Sequence, residues 1–168
     1  MTSKILKNNR GSLLIESIVS LSITVIGLLG ILGLLSRSLT LNRDAGSKLI
    51  STYLSAEGIE IIKNLIDRNY VQRLPWNDGL NTGTYEVTHN GDIVSNLGGG
   101  NSNQPFLLDS TTGLYGYTVG TPTIFKRTVR ILAINNNELK VVSRVDWSTG
   151  LGAQSVSLED HFFDWRSP

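Results

Sequence analysis

An unbroken apolar run near the N-terminus constrains this chain more than any other feature of its sequence. Residues 12–35 read SLLIESIVSLSITVIGLLGILGLL, and Glu16 carries the only ionisable side chain among these 24 residues. As an α-helix the run would be about 36 Å long at roughly 1.5 Å per residue, enough to cross a hydrocarbon core of about 30 Å. A helix of this length in a soluble domain normally has a polar side. The run therefore predicts a membrane-spanning helix.

The next segment, residues 36–70, predicts a continuation of the same helix with one apolar side. Apolar residues recur at steps of three and four, namely at Leu41, Ala45, Leu49, Tyr53, Ala56, Ile59, Ile62 and Ile66. Charged residues fall largely between them, which is the pattern of a surface helix that covers a core with one face. The helix is expected to end before Leu74, because Pro75 disfavours helical geometry in the residue that precedes it.

The remainder of the chain, residues 71–168, predicts a small globular β domain. Short β-like runs alternate with turns rich in Gly, Asn, Asp and Ser. Strands are expected at 84–88, at 123–134 and 138–147 as a hairpin, and at 155–165 with Val156, Leu158 and Phe162 on one side, with a turn at 90–91 and a loop at 97–103. The predicted fold class is α+β: a long N-terminal helix, transmembrane in its first half and amphipathic in its second, packed on a small antiparallel sheet.

The charge and the absence of cysteine exclude several classes of protein. The formal net charge is +1. Lys4, Lys7 and Arg10 supply +3 of it in a leader of residues 1–11 that has no acid, so the rest of the chain carries −2. This balance gives no electrostatic support to nucleic-acid binding. Without cysteine, the chain has no disulfide framework, thiolate zinc site or cysteine nucleophile.

Two ordinary explanations of the apolar run leave something unexplained. A secretory signal peptide has an apolar stretch of about 7–15 residues, which is shorter than this one. A plain single-pass anchor fits the length but does not explain Glu16, because a carboxylate costs roughly 2.5–3.5 kcal/mol near the centre of a membrane helix. The carboxylate of Glu16 either reaches the interface or has a cationic partner.

The N-terminal motif resembles that of the type IV prepilin and pseudopilin family. It consists of a basic leader ending in Arg10 and Gly11, followed by residues 12–17 (SLLIES) with Glu16 as the fifth residue. The resemblance implies that a prepilin peptidase cuts between Gly11 and Ser12 and methylates the new N-terminus at Ser12. It also implies that Glu16 pairs with an N-terminal amine during filament assembly. Ser12 departs from the bulky apolar residue that is usual at this position.

Three glycines repeat at every third position in the second half of the apolar run. Gly27, Gly30 and Gly33 each cost about 1 kcal/mol relative to alanine in a helix interior. One interpretation is close packing against another membrane helix. The other is a point of helix flexibility, where the helix stretches on leaving the membrane for a filament; major pilins often carry a proline near the place of Gly33.

Segments beyond the leader resemble minor pilins of the PilV type. They are residues 56–60 (AEGIE), 125–129 (FKRTV), 145–147 (VDW) and 163–165 (FDW). The resemblance suggests a minor subunit, as does the lack of the cysteine pair that many major pilins use to close their C-terminal region. Trp147 and Trp165 are interpreted as packing residues rather than ligand contacts.

The sequence contains no arrangement that is typical of an enzyme. No Gly-x-Ser-x-Gly elbow is present, and the glycines at 98–100 lack the Lys-Ser/Thr of a phosphate loop. His161 lies among Glu159, Asp160 and Asp164, residue types that suit divalent ions. In a strand Asp160 and His161 point to opposite faces, so a solvated surface is predicted there and no metal or cofactor site is assigned.

These observations predict a structural subunit of a type IV pilus or a type II secretion-like filament. Its expected partners are other pilin subunits, the prepilin peptidase, the inner-membrane assembly platform and membrane lipid, with no nucleic acid unless it belongs to a DNA-uptake pilus. The expected location is the cytoplasmic membrane, with the C-terminal domain outside the cytoplasm, and then the pilus or pseudopilus.

Two alternatives belong to other classes. One is a single-pass, membrane-anchored extracytoplasmic binding module, which would keep residues 1–11. The other is a secreted carbohydrate- or DNA-binding domain that uses Trp76, Tyr115 and Tyr117 as exposed aromatic contacts.

Overall fold

The structure of the protein is a computed structural model, which describes residues 10–88, 93–96, 104–150 and 152–165. These residues form one long helix and an antiparallel sheet, an α+β arrangement as expected. The elements are α1 (Arg10–Val71), β1 (Gly83–Val87), β2 (Ile93–Asn96), β3 (Leu107–Leu108), β4 (Tyr115–Gly116), β5 (Thr121–Pro122), β6 (Lys126–Asn135), β7 (Glu138–Thr149) and β8 (Gly152–Phe163). The chain divides into two compact units, Met1–Ala45 and Gly46–Pro168.

The end of α1 confirms the prediction from Pro75. The last helical residue is Val71, and Arg73 takes a left-handed conformation with φ of 58°. The N–H of Leu74 donates to the carbonyl of Asn69 at 2.9 Å, which satisfies a carbonyl that the helix end would otherwise leave without a partner. The buried amide of Asn69 in turn donates to the carbonyls of Trp76 and Asp78, so the chain is held as it leaves the helix.

The main sheet has five strands in the order β2-β1-β6-β7-β8, all antiparallel to their neighbours. The predicted hairpin is confirmed: β6 and β7 are joined by a two-residue connection at 136–137. The last strand, β8, begins three residues before the predicted start at Ser155. A second, small sheet has the order β4-β3-β5. The predicted turn at 90–91 and loop at 97–103 lie outside the described residues.

The core of the second unit lies between the C-terminal half of α1 and the inner face of the five-stranded sheet. Its larger cluster combines helical Ile61, Ile62, Leu65 and Ile66 with Trp76, Leu80, Tyr85, Val87, Val129, Ile131, Leu139 and Val141. A smaller cluster combines Leu54 with Phe106, Phe125, Val145 and Trp147. The predicted inward row of β8 is also seen, because Val156 and Phe162 pack against these clusters.

The predicted apolar stripe on α1 is wrong over most of its length. Leu49 and Tyr53 are 58% and 69% exposed, and Leu41, Ala45 and Ala56 are exposed as well. The side chains that α1 buries are instead Ser51, Leu54, Ser55, Gly58, Ile61, Ile62, Leu65, Ile66 and Asn69. Only Ile62 and Ile66 belong to both sets, with Ile59 half-buried.

Close approach of the sheet explains why small residues face it. A Cβ at Gly58 would overlap Ser143 Oγ, and Ser55 Oγ donates a buried hydrogen bond to the carbonyl of Ser143 at 2.7 Å. The pattern of large apolar residues at helical spacing does not include serine and glycine. These small residues nevertheless allow the helix backbone to lie close to β7.

The three aromatic residues expected on the surface are not exposed. Trp76 is buried in the larger cluster. Tyr115 and Tyr117 are half-buried and pack on the smaller one, where the Tyr117 ring stacks on Phe106 with centroids 4.8 Å apart. The expectation that all three residues are exposed is therefore wrong. Trp147 is buried as predicted, whereas Trp165 is 74% exposed.

Candidate functional site

The most unusual surface of the described chain is the first half of α1. All fifteen large apolar side chains of residues 12–35 are exposed, from 46% at Val25 to 73% at Leu34. They are Leu13, Leu14, Ile15, Ile18, Val19, Leu21, Ile23, Val25, Ile26, Leu28, Leu29, Ile31, Leu32, Leu34 and Leu35. Fully burying one such side chain stabilises by about 1.5–3 kcal/mol, so burial of this surface against lipid or protein is strongly favourable. Residues 12–35 of α1 are called the apolar segment below.

By length and composition, the helix that contains the apolar segment is able to cross a membrane. It is the one such helix in the described chain, its most apolar window has a mean hydropathy of 2.5, and none of that window is buried. The absence of burial separates it from the core helix of a soluble domain. A position near the N-terminus is shared with signal sequences, so length and hydropathy alone do not define its role.

Three of the six polar side chains of the apolar segment bond to the helix itself. The hydroxyls of Ser17, Ser22 and Thr24 donate to the carbonyls of Leu13, Ile18 and Ser20 at 2.8, 2.7 and 2.8 Å. A hydroxyl that bonds the carbonyl four residues earlier needs no water. These residues are therefore compatible with an apolar cover on every side of the helix.

The residues of the predicted cleavage and pairing motif lie in the first turns of α1. Gly11 is helical and exposed with open space around it, and Ser12 and Glu16 are also helical and exposed. Ser12 and Glu16 are four residues apart, which places them on the same side of a helix about 5–6 Å apart. An amine created at Ser12 would thus be within reach of its own Glu16. Cleavage and methylation stay predictions.

Gly27, Gly30 and Gly33 have no packing explanation among the residues that the structure describes. Apart from the adjacent helix backbone, a Cβ built at any of them meets no atom within 4 Å in the part of the chain that the structure describes. Gly58, on the same helix, differs because it is pressed against Ser143 and Arg127. The reason for the three glycines therefore lies in a contact outside this chain or in the flexibility of the helix.

Residues 56–60 and 125–129 meet where the second half of α1 packs on the sheet. The guanidinium of Arg127 is 1% exposed and donates to the carboxylate of Glu57 at 3.1 Å. It also donates to the carbonyls of Leu54 on α1 and Val87 on β1, both at 2.8 Å, and lies 4.8 Å from the centre of the Phe106 ring. Arg127 therefore joins the helix to two strands.

The role of Arg127 was not predicted, although the sequence contains a signal for it. Arg127 occupies an inward position of β6, between the buried Phe125 and Val129. A charged residue at an inward position of an alternating strand is rarely buried unless it is paired. Its alternation with apolar neighbours predicts such a pairing, and the acid at 57 on the covering helix is the partner.

Burial changes the chemistry of Tyr117 in the same region. Removal from water disfavours the phenolate and raises the pKa of Tyr117 far above its usual value, while the nearby Arg127 opposes this effect and Glu86 adds to it. The phenol therefore stays neutral at any physiological pH.

The acidic surroundings of His161 form a network of surface ion pairs. Its Nδ1 lies 2.7 Å from Glu138 Oε1 and its Nε2 3.4 Å from Glu159 Oε1. Lys140 Nζ lies 2.7 Å from the same Glu159 oxygen. The hydrogen bond with Glu138 is the largest cause that raises the pKa of His161. Among the described residues, no group of three or more His, Cys, Asp or Glu side chains is arranged to hold a metal ion, and His89 lies outside that part of the chain.

Comparison with known proteins adds no relative. No protein-family model, curated protein or solved structure matches the chain. What the protein does is therefore inferred from its own residues.

Proposed function

We propose that this chain is a structural subunit, either a minor pilin or a pseudopilin, of a type IV pilus or a type II secretion-like filament. The observation that carries the proposal is the apolar segment, exposed on every side and interrupted by a single carboxylate at Glu16. The leader that ends at Gly11 supports it, as does the packing of an antiparallel sheet on the second half of the same helix.

Lipid and then other subunits can bury the apolar segment at successive stages of assembly. Lipid covers it while the subunit stands in the cytoplasmic membrane, since hydrocarbon accepts an apolar helix whose backbone groups are bonded internally. Apolar segments of other subunits replace the lipid in a filament, because their leucines and isoleucines offer similar surroundings. The exposed Leu41, Leu49 and Tyr53 extend the apolar surface along α1 beyond residue 35, so they add to the area that neighbouring subunits cover.

Glu16 and the cleavage site act together in this function. A carboxylate enclosed by apolar side chains is costly alone and tolerable when it is paired. Cleavage after Gly11 creates an amine at Ser12 in the same apolar layer. Pairing between the amine of an incoming subunit and the Glu16 of a subunit already in place sets the axial position of the newcomer.

The mass of the N-terminus tests the proposal most directly. The full chain is produced in bacterial membranes with and without a prepilin peptidase, and its N-terminal peptide is measured by mass spectrometry. With the peptidase we expect the chain to begin at Ser12, with or without the added mass of one methyl group. A Gly11→Leu variant should keep residues 1–11, and the matched variant Gly46→Ala, on an equally open position of α1, should be cut normally.

An intact N-terminus in the presence of an active peptidase would contradict the proposal. It would favour the membrane-anchored binding module, which has no reason to lose its leader. Cleavage of Gly11→Leu to the same extent as the unchanged chain would show that the enzyme does not recognise this motif. A control prepilin cut in the same membranes establishes that the peptidase is active.

A further inference from the structure

A cavity of about 230 Å³ lies beside the small sheet of β3, β4 and β5. Its walls come from the loop between β3 and β4 and from the segment between β4 and β5. Pockets for drug-sized molecules measure about 300–1,000 Å³, so the size of this cavity suits a single side chain or a small molecule. The residues that line it include Asp109, Thr112, Leu114, Tyr115, Thr118 and Val119.

A close approach between two backbone segments forms one wall of the cavity. Gly120 has a φ of 128° and lies so near Leu108 on β3 that a Cβ would overlap the backbone there. Only glycine adopts this conformation without strain and leaves room for such a contact. Glycine at position 120 therefore keeps the wall formed by residues 118–119 close to the loop of residues 109–114.

The carboxylate of Asp109 is held in a fixed orientation on the opposite wall. Its Oδ1 accepts a hydrogen bond from the N–H of Thr111 and its Oδ2 accepts one from the hydroxyl of Thr112, both at 2.8 Å. Each carboxylate oxygen has two lone pairs, so each is able to accept one further bond. The bond from Thr111, followed by that from Thr112, lowers the pKa of Asp109, so the group is charged at neutral pH.

This carboxylate lacks a counter-charge from the described chain. Asp109 is the only charged residue in the sequence between Asp92 and Lys126. No lysine, arginine or histidine of the described chain forms an ion pair with it, whereas Asp146 is paired with Arg144 at 2.7 Å. An unpaired carboxylate in a cavity wall attracts a cation, so the cavity is suited to a positively charged ligand.

The remaining walls suit an ammonium group on an apolar chain. Leu114 and Val119 are 49% and 67% exposed, and Tyr115 is half-buried between them in sequence. The hydroxyl of Thr112 has two acceptor lone pairs, of which one receives the N–H of Leu114 at 3.4 Å. Thr118 adds a second hydroxyl oxygen. Together with the carboxylate, these oxygens offer three acceptors for the three N–H donors of an ammonium ion.

We propose that this cavity binds a primary ammonium group carried on an unbranched apolar chain, as in the side chain of lysine. The ammonium ion bonds to Asp109 and to the hydroxyls of Thr112 and Thr118, and the chain lies on Leu114 and Val119. A guanidinium group is less suited, because its planar fork pairs with two carboxylate oxygens at once and each of these already accepts a bond. The ammonium group belongs either to a lysine of another polypeptide or to a free amine. The inference does not depend on the filament function.

An NMR titration of the isotope-labelled full chain in detergent micelles tests the proposal. The probes are a tripeptide with lysine between two glycines, blocked at both ends, and free n-butylamine. Three further tripeptides replace the lysine with acetylated lysine, norleucine or arginine. The lysine tripeptide should shift the amide signals of residues 109–119 until they saturate. The acetylated and norleucine tripeptides should bind at least tenfold more weakly, because hydrogen bonds to charged groups are the strong ones.

Matched variants separate the carboxylate from the shape of the loop. Asp109→Asn keeps an oxygen for the N–H of Thr111 and removes the charge, so it should weaken the lysine tripeptide at least tenfold. Asp67→Asn removes the same charge at an exposed position of α1 and should bind like the unchanged chain. Val119→Lys places a cation beside the cavity without altering the bonds of the loop, so it should weaken binding even if Asp109→Asn changes the loop. Ile124→Lys, at an exposed position that does not line the cavity, should have no effect.

The two sources of the ammonium group give different results. Tighter binding of the lysine tripeptide than of n-butylamine would assign the cavity to a lysine of another polypeptide, and equal or tighter binding of n-butylamine would assign it to a free amine.

Several results would overturn the proposal. One is equal binding of the lysine and norleucine tripeptides, which would show that the cavity selects only an apolar chain. Another is binding of the arginine tripeptide at least as tight as that of the lysine tripeptide. A third is unchanged affinity in both Asp109→Asn and Val119→Lys, and a fourth is the absence of any shift at residues 109–119 with either amine.

Discussion

The two halves of α1 have the same backbone conformation and opposite surroundings. The half that is richer in leucine and isoleucine has its large apolar side chains exposed, whereas the half that carries most of the charged residues packs on the sheet. Apolar content therefore does not determine which half of this helix is buried in the described chain. Where the second half packs, the small residues Ser51, Ser55 and Gly58 leave room for the sheet to approach.

This difference assigns separate roles to the two halves. The second half is part of the core of the second unit, so changes there should alter the stability of the fold. No described residue of the chain buries the apolar segment, so changes there should alter what the protein associates with. Matched substitutions in the two halves test this division.

The largest difference is expected for the carboxylates Glu16 and Glu60. In a cell with the assembly machinery, Glu16→Ala should lower incorporation into filaments at least tenfold, because an amine enclosed by apolar side chains loses its counter-charge and breaking a buried pair costs about 3–5 kcal/mol. Glu60→Ala, at an exposed position, should have no effect. Quantitative immunoblots of sheared filaments and of membranes give the ratio, and membrane insertion of both variants should be normal. Normal incorporation of Glu16→Ala would show that assembly does not require a pair between Glu16 and an N-terminal amine.

The next difference concerns two leucines. Leu65 is buried in the larger cluster, so Leu65→Ala should lower the free energy of unfolding by about 2–5 kcal/mol through lost contacts and a cavity. Leu28 is exposed, and Leu28→Ala should change the free energy of unfolding by less than about 0.5 kcal/mol. Urea unfolding of the full chain in micelles, followed by the fluorescence of the buried tryptophans, measures both. Equal losses would show that the apolar segment belongs to the same cooperative unit.

Alanine substitutions at Gly58 and Gly30 are expected to have smaller effects on stability, of opposite sign. Gly58→Ala should destabilise the second unit by about 1–3 kcal/mol, because a methyl group there overlaps Ser143 and overpacking carries a cost of that size. Gly30→Ala has open space and should stiffen the helix by up to about 1 kcal/mol. Circular dichroism during thermal unfolding reports both changes. If Gly30→Ala also reduced filament incorporation, close packing or flexibility at that position would be established.

The smallest effect is expected from pH. The pKa of His161 in the folded chain is raised above its ordinary value of 6.5 by Glu138 and Glu159. Because the pKa is raised, the pairing of protonated His161 with the two glutamates stabilises the folded chain. This stabilisation is fully present below the pKa of the unfolded chain and is lost as pH rises through the pKa of the folded chain. The unchanged chain should therefore exceed His161→Gln in urea midpoint at about pH 5.5, and the two should converge at about pH 8.5. A constant gap across that range would contradict this account.

The sequence predicted those elements of the fold that have local causes. Pro75 marks the end of α1, and the apolar–polar alternation on both sides of 135–137 specifies the β6–β7 hairpin. The apolar run identified the candidate site, because its length and composition are visible without any tertiary contact. Glu16 is conspicuous for the same reason.

The buried face of α1 could not be predicted from the same pattern. Leu41, Leu49 and Tyr53 satisfy helical spacing, but the sheet selects the side on which Ser55 and Gly58 permit a close approach. The role of Arg127 also depends on three elements that are distant in sequence. Trp76 was expected to be exposed in one of the alternatives, whereas its ring is buried in the larger cluster by residues that are distant in sequence.

The bonds of Arg127 have a consequence for how this protein tolerates mutation. Two of its three hydrogen-bond acceptors are main-chain carbonyls, at positions 54 and 87. A main-chain acceptor is present whichever side chain the position carries, so substitutions at these two positions leave the bonds available. These two bonds therefore require a particular side chain only at Arg127 on β6. Related sequences should vary more freely at 54 and 87, within the limits of core volume, than at 127.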